Sequence, residues 1–245
     1  MKTTIKYILQ KTFGFQTYLY IFSLFIIRKL RWDRNEKDFL FFLSMLPEEG
    51  VVLDIGANLG VMTYHFAKGH PTRSVFSFEP IPYNYKNLLR IKEKFALSNV
   101  TTFPVALGEE NGVIDMILPV EKSVRFHGLA HVKNNSPESQ NNGELFQAPI
   151  YRLDDIDELN SSCNPVTGIK MDVENYEYFV LKGAECLLKK HFPPIYCELW
   201  DNENRIHAIN FLEGLGYKVF ILSKKKLVPY DGQKHSSQNF FFVKK

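Results

Sequence analysis

Cysteine is scarce in this chain: Cys163, Cys186 and Cys197 are the only three among 245 residues, far apart and without paired spacing. That excludes a disulfide framework and a cysteine-built zinc site, and it points to reduced thiols in a cytoplasmic protein. An excess of one charge is lacking too. Thirty Lys and Arg stand against 27 Asp and Glu, a net charge of +3, and the bases are scattered among the acids. Nucleic-acid binders gain affinity by displacing phosphate counterions from a dense basic surface, so no nucleic acid is expected as a partner. The one run of three, Lys224-Lys225-Lys226, reads as a solvated turn. Nor is there an apolar stretch of the roughly 20 residues that a membrane-spanning helix needs. The nearest approach is Tyr18 to Ile27, preceded by Lys2, Lys6 and Lys11 and followed by Arg28, Lys29 and Arg31. It is about half the spanning length, with no small-residue cleavage site behind it. A buried helix is therefore the favoured reading, and an interfacial helix touching a membrane the lesser one.

What is present fits one α/β domain over residues 36–245, preceded by a helical extension over 1–35. With 45% hydrophobic residues the chain is long enough for one substantial core. Short apolar runs at Val51–Ile55, Ser74–Phe78, Val100–Leu107, Gly168–Val173 and Pro194–Leu199 alternate with helical stretches at Tyr83–Leu97, Tyr176–Lys190 and Glu203–Leu215. This is the pattern of a parallel sheet covered on both faces. The last two runs, Tyr217–Leu222 and Asn239–Val243, are joined by a linker too short for a crossover helix, so they should pair antiparallel. The expectation is a Rossmann-like sheet of seven strands with an antiparallel C-terminal strand, an arrangement that separates class I methyltransferases from most dehydrogenases. One region breaks the alternation. Residues 119–149 hold many Asn, Ser, Gly and Pro and read as a long loop or lid, flanked by Val113–Leu118 and Ala148–Leu153 as an added strand pair.

The sharpest signal is Asp54-Ile55-Gly56-Ala57-Asn58-Leu59-Gly60, at the end of the first strand and the start of a helix. Glycine suits a strand-to-helix turn because it tolerates positive φ and lets a ligand approach the backbone. The spacing is G-x-x-x-G, not G-x-G-x-x-G, and Asn58 stands where a pyrophosphate would need glycine. A cofactor without phosphates fits better, and S-adenosylmethionine is one. Asp54 can sit near its amino acid end, and Glu79, at the end of the second strand, can accept both ribose hydroxyls. The bland alternative makes Asp54 a helix cap and Glu79 a surface acid.

The loop D-I-G-A-N-L-G, F-E-P at Phe78–Pro80, Asn99 followed by Ala106, R-L-D-D at Arg152–Asp155 and I-K-M-D-V-E at Ile169–Glu174 together resemble the FkbM methyltransferase family. The resemblance runs in order over roughly residues 36–220. It implies a class I fold, S-adenosyl-L-methionine as donor, and a hydroxyl of a sugar, polyketide or related metabolite as acceptor. It also implies cofactor-binding roles for Asp54, Gly56, Asn58, Gly60, Glu79 and Ala106. Asn175 departs from the family pattern, which has glycine after Asp-Val-Glu. Asparagine tolerates the left-handed conformation better than most residues.

In a doubly wound sheet, ligands lie beyond the carboxyl ends of the strands, which puts Asp172, Glu174 and Glu198 on the rim shared with Asp54 and Glu79. These three are the catalytic candidates, able to position an acceptor hydroxyl and take its proton. The competing role for Asp172 and Glu174 is to cap the next helix. His127 and His131 are four apart but lack a third ligand, so they are read as exposed, with no metal site. Phe192-Pro193-Pro194-Ile195-Tyr196 resembles only weakly the loop of enzymes that methylate nucleic acid bases: it lacks the preceding acid or amide and precedes a strand. The reading is a methyltransferase acting on a hydroxyl of a small metabolite or glycan. The alternatives are a nucleotide-dependent dehydrogenase and a non-catalytic binding protein on the same fold.

Overall fold

In the computed structural model, which describes residues 2–121, 123–133 and 143–244, the apolar runs ended by glycine or proline become the centre of a mostly parallel sheet. Its strands are β1 (Gly50–Ile55), β2 (Arg73–Phe78), β3 (Val100–Phe103), β9 (Val166–Met171), β10 (Ile195–Glu198), β11 (Tyr217–Ser223), β12 (Lys226–Pro229) and β13 (Asn239–Lys244), in the order β12-β11-β13-β10-β9-β1-β2-β3. β1, β2, β3, β9 and β10 are parallel, while β13 runs antiparallel to both β10 and β11. The expected terminal antiparallel pair is therefore present, but the sheet has eight strands, not seven. The eighth, β12, comes from the linker between the last two runs. Lys224 and Lys225 both adopt positive φ, 48° and 63°, and form a two-residue turn that folds Lys226 back opposite Ser223. Lysine is not among the residues that usually announce such a turn.

The side chains of β1 alternate between two layers. Val51, Leu53 and Ile55 face a core closed by α7 (Glu177–Lys182), α8 (Glu185–His191) and α9 (Glu203–Gly214), through Val180, Leu181, Leu188, Ala208 and Leu212. The single helix expected over Tyr176–Lys190 is broken at Gly183. A Cβ there would meet the Gly108 carbonyl at 1.9 Å, so the backbone approaches too closely for any side chain. On the opposite face Val52 packs with Phe39 and Phe42 of α3 (Lys37–Met45) and Phe66 of α4 (Val61–Gly69).

The N-terminal extension forms α1 (Lys2–Phe13) and α2 (Phe15–Lys29). α2 buries Phe15, Tyr18, Leu19, Ser23 and Ile27 against α4 and α5 (Pro82–Lys94). Asn87 in α5 ties this contact by donating to Ser23 Oγ at 3.2 Å and to the Leu59 carbonyl at 2.9 Å. Among the described residues, no helix is long and apolar enough to cross a membrane.

A second sheet holds β4 (Ala106–Leu107), β5 (Gly112–Glu121), β6 (Val124–Arg125) and β8 (Gly143–Tyr151), with β7 (His131–Val132) paired to β5. The added strand pair is found with Val113 opposite Pro149, but it is longer than expected and takes over part of the loop assigned to 119–149. Pro119 and Pro149 lie inside the paired strands, and their presence masked the period-two alternation. Residues 134–142 of that loop lie outside the described residues.

Candidate active site

The sheet register assembles the floor of the site. Asp54 in β1 lies directly between Ser77 of β2 and Lys170 of β9. Thr63 from α4 donates to Asp54 Oδ2 at 2.6 Å and lies 3.0 Å from Ser77 Oγ. On the other side Lys170 Nζ is 3.3 Å from Asp54 Oδ1 and donates to the Gly56 carbonyl at 2.7 Å. Asp54 is 0% and Lys170 3% exposed. Asp54 thus sits beneath the loop, where it holds Lys170 and α4, rather than reaching out to a ligand. Burial works against the charge of Lys170, but Asp54 and Asp172 outweigh it and hold its pKa above the ordinary lysine value.

Above this floor the loop turns through positive φ at Gly56 (73°), Asn58 (49°) and Gly60 (81°). A Cβ on Gly56 would lie 1.9 Å from the Asp172 carbonyl, so only glycine lets the ends of β1 and β9 approach. Gly60 serves packing: its missing Cβ makes room for Leu88 of α5. Gly56, Asn58 and Glu79 line one pocket together with Asn84, His127 and Asp172. Ala106 belongs to an adjoining apolar cleft with Met116, Val173 and Tyr176.

Glu79 is buried, not a surface acid. Its Oε2 accepts from the Asn58 backbone N–H at 2.7 Å and its Oε1 from the Ile81 N–H at 2.9 Å. Burial pushes its pKa up to about 7, against the pull of those hydrogen bonds. The carboxylate therefore pins the loop as well as facing the pocket. Glu79→Ala is expected to weaken S-adenosylhomocysteine binding tenfold or more by calorimetry. It should also lower the melting temperature, because two buried N–H groups lose their acceptor at about 1–3 kcal/mol each. Unchanged affinity would remove Glu79 from the donor site.

The three acceptor-side candidates come together. Asp172 lines the pocket with Glu174, and Glu198 ends the neighbouring strand β10. Burial, then the charges of Asp172, Glu198 and Glu177, push Glu174 up to about 8. Burial, then Asp172, bring Glu198 to about 7. The helix-capping role falls to neither Asp172 nor Glu174. Glu177 reaches back to accept from the Val173 N–H at 3.1 Å.

Asn175 keeps the left-handed turn, with φ 73°, and Asn202 Nδ2 donates to its side-chain oxygen at 2.7 Å. Asn175→Ala is expected to cost about 1–2 kcal/mol in chemical denaturation, and Asn175→Gly much less, because only the alanine Cβ opposes this conformation without a local hydrogen bond. Equal stability of the two variants would contradict this account of the turn.

Three residues that line these pockets were not read as such from the sequence. Lys170 stood in plain sight as the lone cation of an apolar strand. Glu36 and His127 carried no such signal. Glu36 lines a second pocket beside the first, walled by Phe22, Ile26 and Leu30 from the N-terminal region and by Met62 of α4. His127 is half-buried rather than exposed: its Nδ1 lies 3.3 Å from Asn58 Oδ1 and it borders both pockets. Burial and the charge of Lys6 bring its pKa down to about 4, so the ring is neutral near pH 7. His131 turns elsewhere, with Nδ1 at 2.9 Å from the Leu129 carbonyl. Among the described residues, no cluster of His, Cys, Asp and Glu is arranged to hold a metal ion.

A parallel sheet closed by an antiparallel terminal strand, with a glycine loop after β1 and a buried acid after β2, defines a class I Rossmann-like methyltransferase. The Methyltransferase FkbM domain matches residues 54–219, and the chain belongs to that family. It is thus a methyltransferase with S-adenosylmethionine as donor, which removes the dehydrogenase alternative. It is 23% identical over 195 residues to Methyltransferase 1 of Beauveria bassiana, covering 75% of this chain and 78% of that relative. It is 24% identical over 169 residues to methyltransferase sdnD of Sordaria araneosa, covering 60% and 65%. Its fold is similar to that of an FkbM methyltransferase from Methylobacillus flagellatus, with a TM-score of 0.54 and 16% identity. That likeness covers 80% of this chain and 44% of the other.

Proposed function

We propose that this methyltransferase methylates a hydroxyl group of a small metabolite or glycan, with the carboxylates Asp172, Glu174 and Glu198 serving the acceptor. The observation that carries the reading is the elevated pKa of Glu174 and Glu198 beside the donor pocket. A carboxyl group whose pKa lies near the working pH is suited to take a hydroxyl proton as the new C–O bond forms. The donor fits the residues present. Gly56 leaves the backbone open, Glu79 presents a buried carboxyl, and the Asn84 side-chain oxygen is buried without a partner beside it. S-adenosylmethionine, when bound, supplies an electrophilic methyl group on a sulfonium centre. Asp172 adds negative charge at the rim that suits this cation, Glu174 joins it as pH rises through 8, and Lys170 limits that charge from below. The apolar wall of Phe22, Ile26, Leu30 and Met62 supports an acceptor with an apolar body and excludes water around the hydroxyl. The three free thiols accord with a reducing compartment such as the cytoplasm.

The test is transfer from isotopically labelled S-adenosylmethionine to matched acceptors bearing a hydroxyl, an amine or a thiol on the same scaffold, read by mass spectrometry. Methylation of the hydroxyl compounds is expected. Transfer confined to the amines or thiols would overturn the reading.

A further inference from the structure

Three cations surround a pocket that has no part in the methyl-transfer site. Arg28 and Arg31, at the end of the N-terminal helices, and Lys68, at the end of α4, line it with His65 and Phe95. All three cations are exposed, and none has a hydrogen-bond or ion-pair partner among the described residues. Among the described residues, no acid lines the pocket. His65 is 4% exposed, and its Nε2 is buried without a hydrogen-bond partner. The C-terminal ends of α2 and α4 contribute about half a negative charge each, which leaves the pocket clearly positive against three cations. Such a site suits a phosphate group.

The surroundings decide where the phosphate comes from. Ile21, Phe25 and Arg28 are spaced four and three residues apart, so they share the outward face of α2. Ile21 is 51% and Phe25 59% exposed, and Trp32 just beyond is 80% exposed. A soluble anion has no use for exposed apolar side chains, whereas a lipid surface takes up both kinds of group, with tryptophan at the boundary. Charge along the chain agrees. Six cations and no acid precede Asp33, while the rest of the chain carries a small excess of acids. We propose that the outer face of α2, with the pocket of Arg28, Arg31 and Lys68, docks this protein on an anionic phospholipid surface, one headgroup phosphate seated in the pocket. The inner face of α2 stays packed on α4 and α5, so docking needs no unfolding.

The experiment is co-sedimentation of the full chain with phosphatidylcholine vesicles, with and without phosphatidylglycerol, across a salt series. Binding should require the anionic lipid and weaken with salt. R28A/R31A/K68A should lose about a hundredfold in affinity, roughly fivefold per cation. I21S/F25S should lose binding through the apolar face, and both variants should keep their circular dichroism. R31E alone provides a second, milder test of the pocket. Equal binding to neutral vesicles would overturn the proposal. So would thermal stabilisation by inorganic phosphate without vesicle binding, which would make the pocket a soluble-anion site.

Discussion

Lys170→Met is expected to destabilise the protein by about 3–5 kcal/mol, because it removes the cation paired with a carboxylate that is closed off from water. Asp54 is fully buried, and its Oδ1 has no hydrogen-bond partner and relies on Lys170 at 3.3 Å. Stranding that charge should lower the melting temperature on the order of 10 °C for a chain of this size. Donor affinity should fall as well, since Lys170 Nζ also anchors the Gly56 carbonyl in the glycine loop after β1. The double variant Asp54→Asn with Lys170→Met removes both charges and should recover most of the stability, because the cost lies in the unpaired ion rather than in the missing attraction. If Lys170→Met alone melts with the wild type, water reaches Asp54 and the floor of the site is not the closed network described.

This pair also shows what the sequence discloses and what it withholds. Period and punctuation place Asp54 at a strand end and Lys170 in another strand, but only the register that sets Asp54 beside Lys170 turns them into a unit. Asp54 therefore read as a ligand contact when its carboxylate is spent on Thr63 and Lys170. Glu79 was easier, because its position after the second strand already implied a site. Its bonds to Asn58 and Ile81 were not legible, since they arise from how the two loops cross. The central sheet and its terminal antiparallel strand followed from apolar runs and linker lengths. The eighth strand was hidden by a lysine turn, and the second sheet by two prolines within its strands. His127 looked exposed because a polar loop usually is, and a histidine carries no mark of the fold that buries it. Half of the N-terminal helix was readable as core. Its outer face becomes visible only once the buried half is known.

Glu174→Gln is expected to lower kcat by roughly 10²–10⁴ through loss of a base that keeps its place but cannot take a proton. The backbone argues that Glu174 is placed for a purpose. It sits at φ 51°, directly before Asn175 at 73°, and a left-handed non-glycine residue costs on the order of 1–2 kcal/mol. The pH dependence separates catalysis from mere support. Glu174 titrates near 8 in the fold against 4.5 as a free side chain, so its carboxylate fills only as pH rises through 8. Wild-type kcat/KM should therefore climb between about pH 6 and 8, and the glutamine variant should be flatter. Stability should run the other way. Between pH 4.5 and 8 the folded state holds a proton that the unfolded chain has released, so this contribution is complete below 4.5 and lost as pH approaches 8. Glu79, Glu177 and Glu198 shift in the same direction, which makes the free enzyme melt earlier at pH 8 than at pH 5. Above pH 8, where Glu174 is ionised, the variant should also bind S-adenosylmethionine more weakly while keeping its affinity for S-adenosylhomocysteine, because only the first carries the sulfonium charge that a carboxylate favours. A Glu174→Gln enzyme with wild-type turnover and an unchanged pH profile would move the base to Glu198 or Asp172.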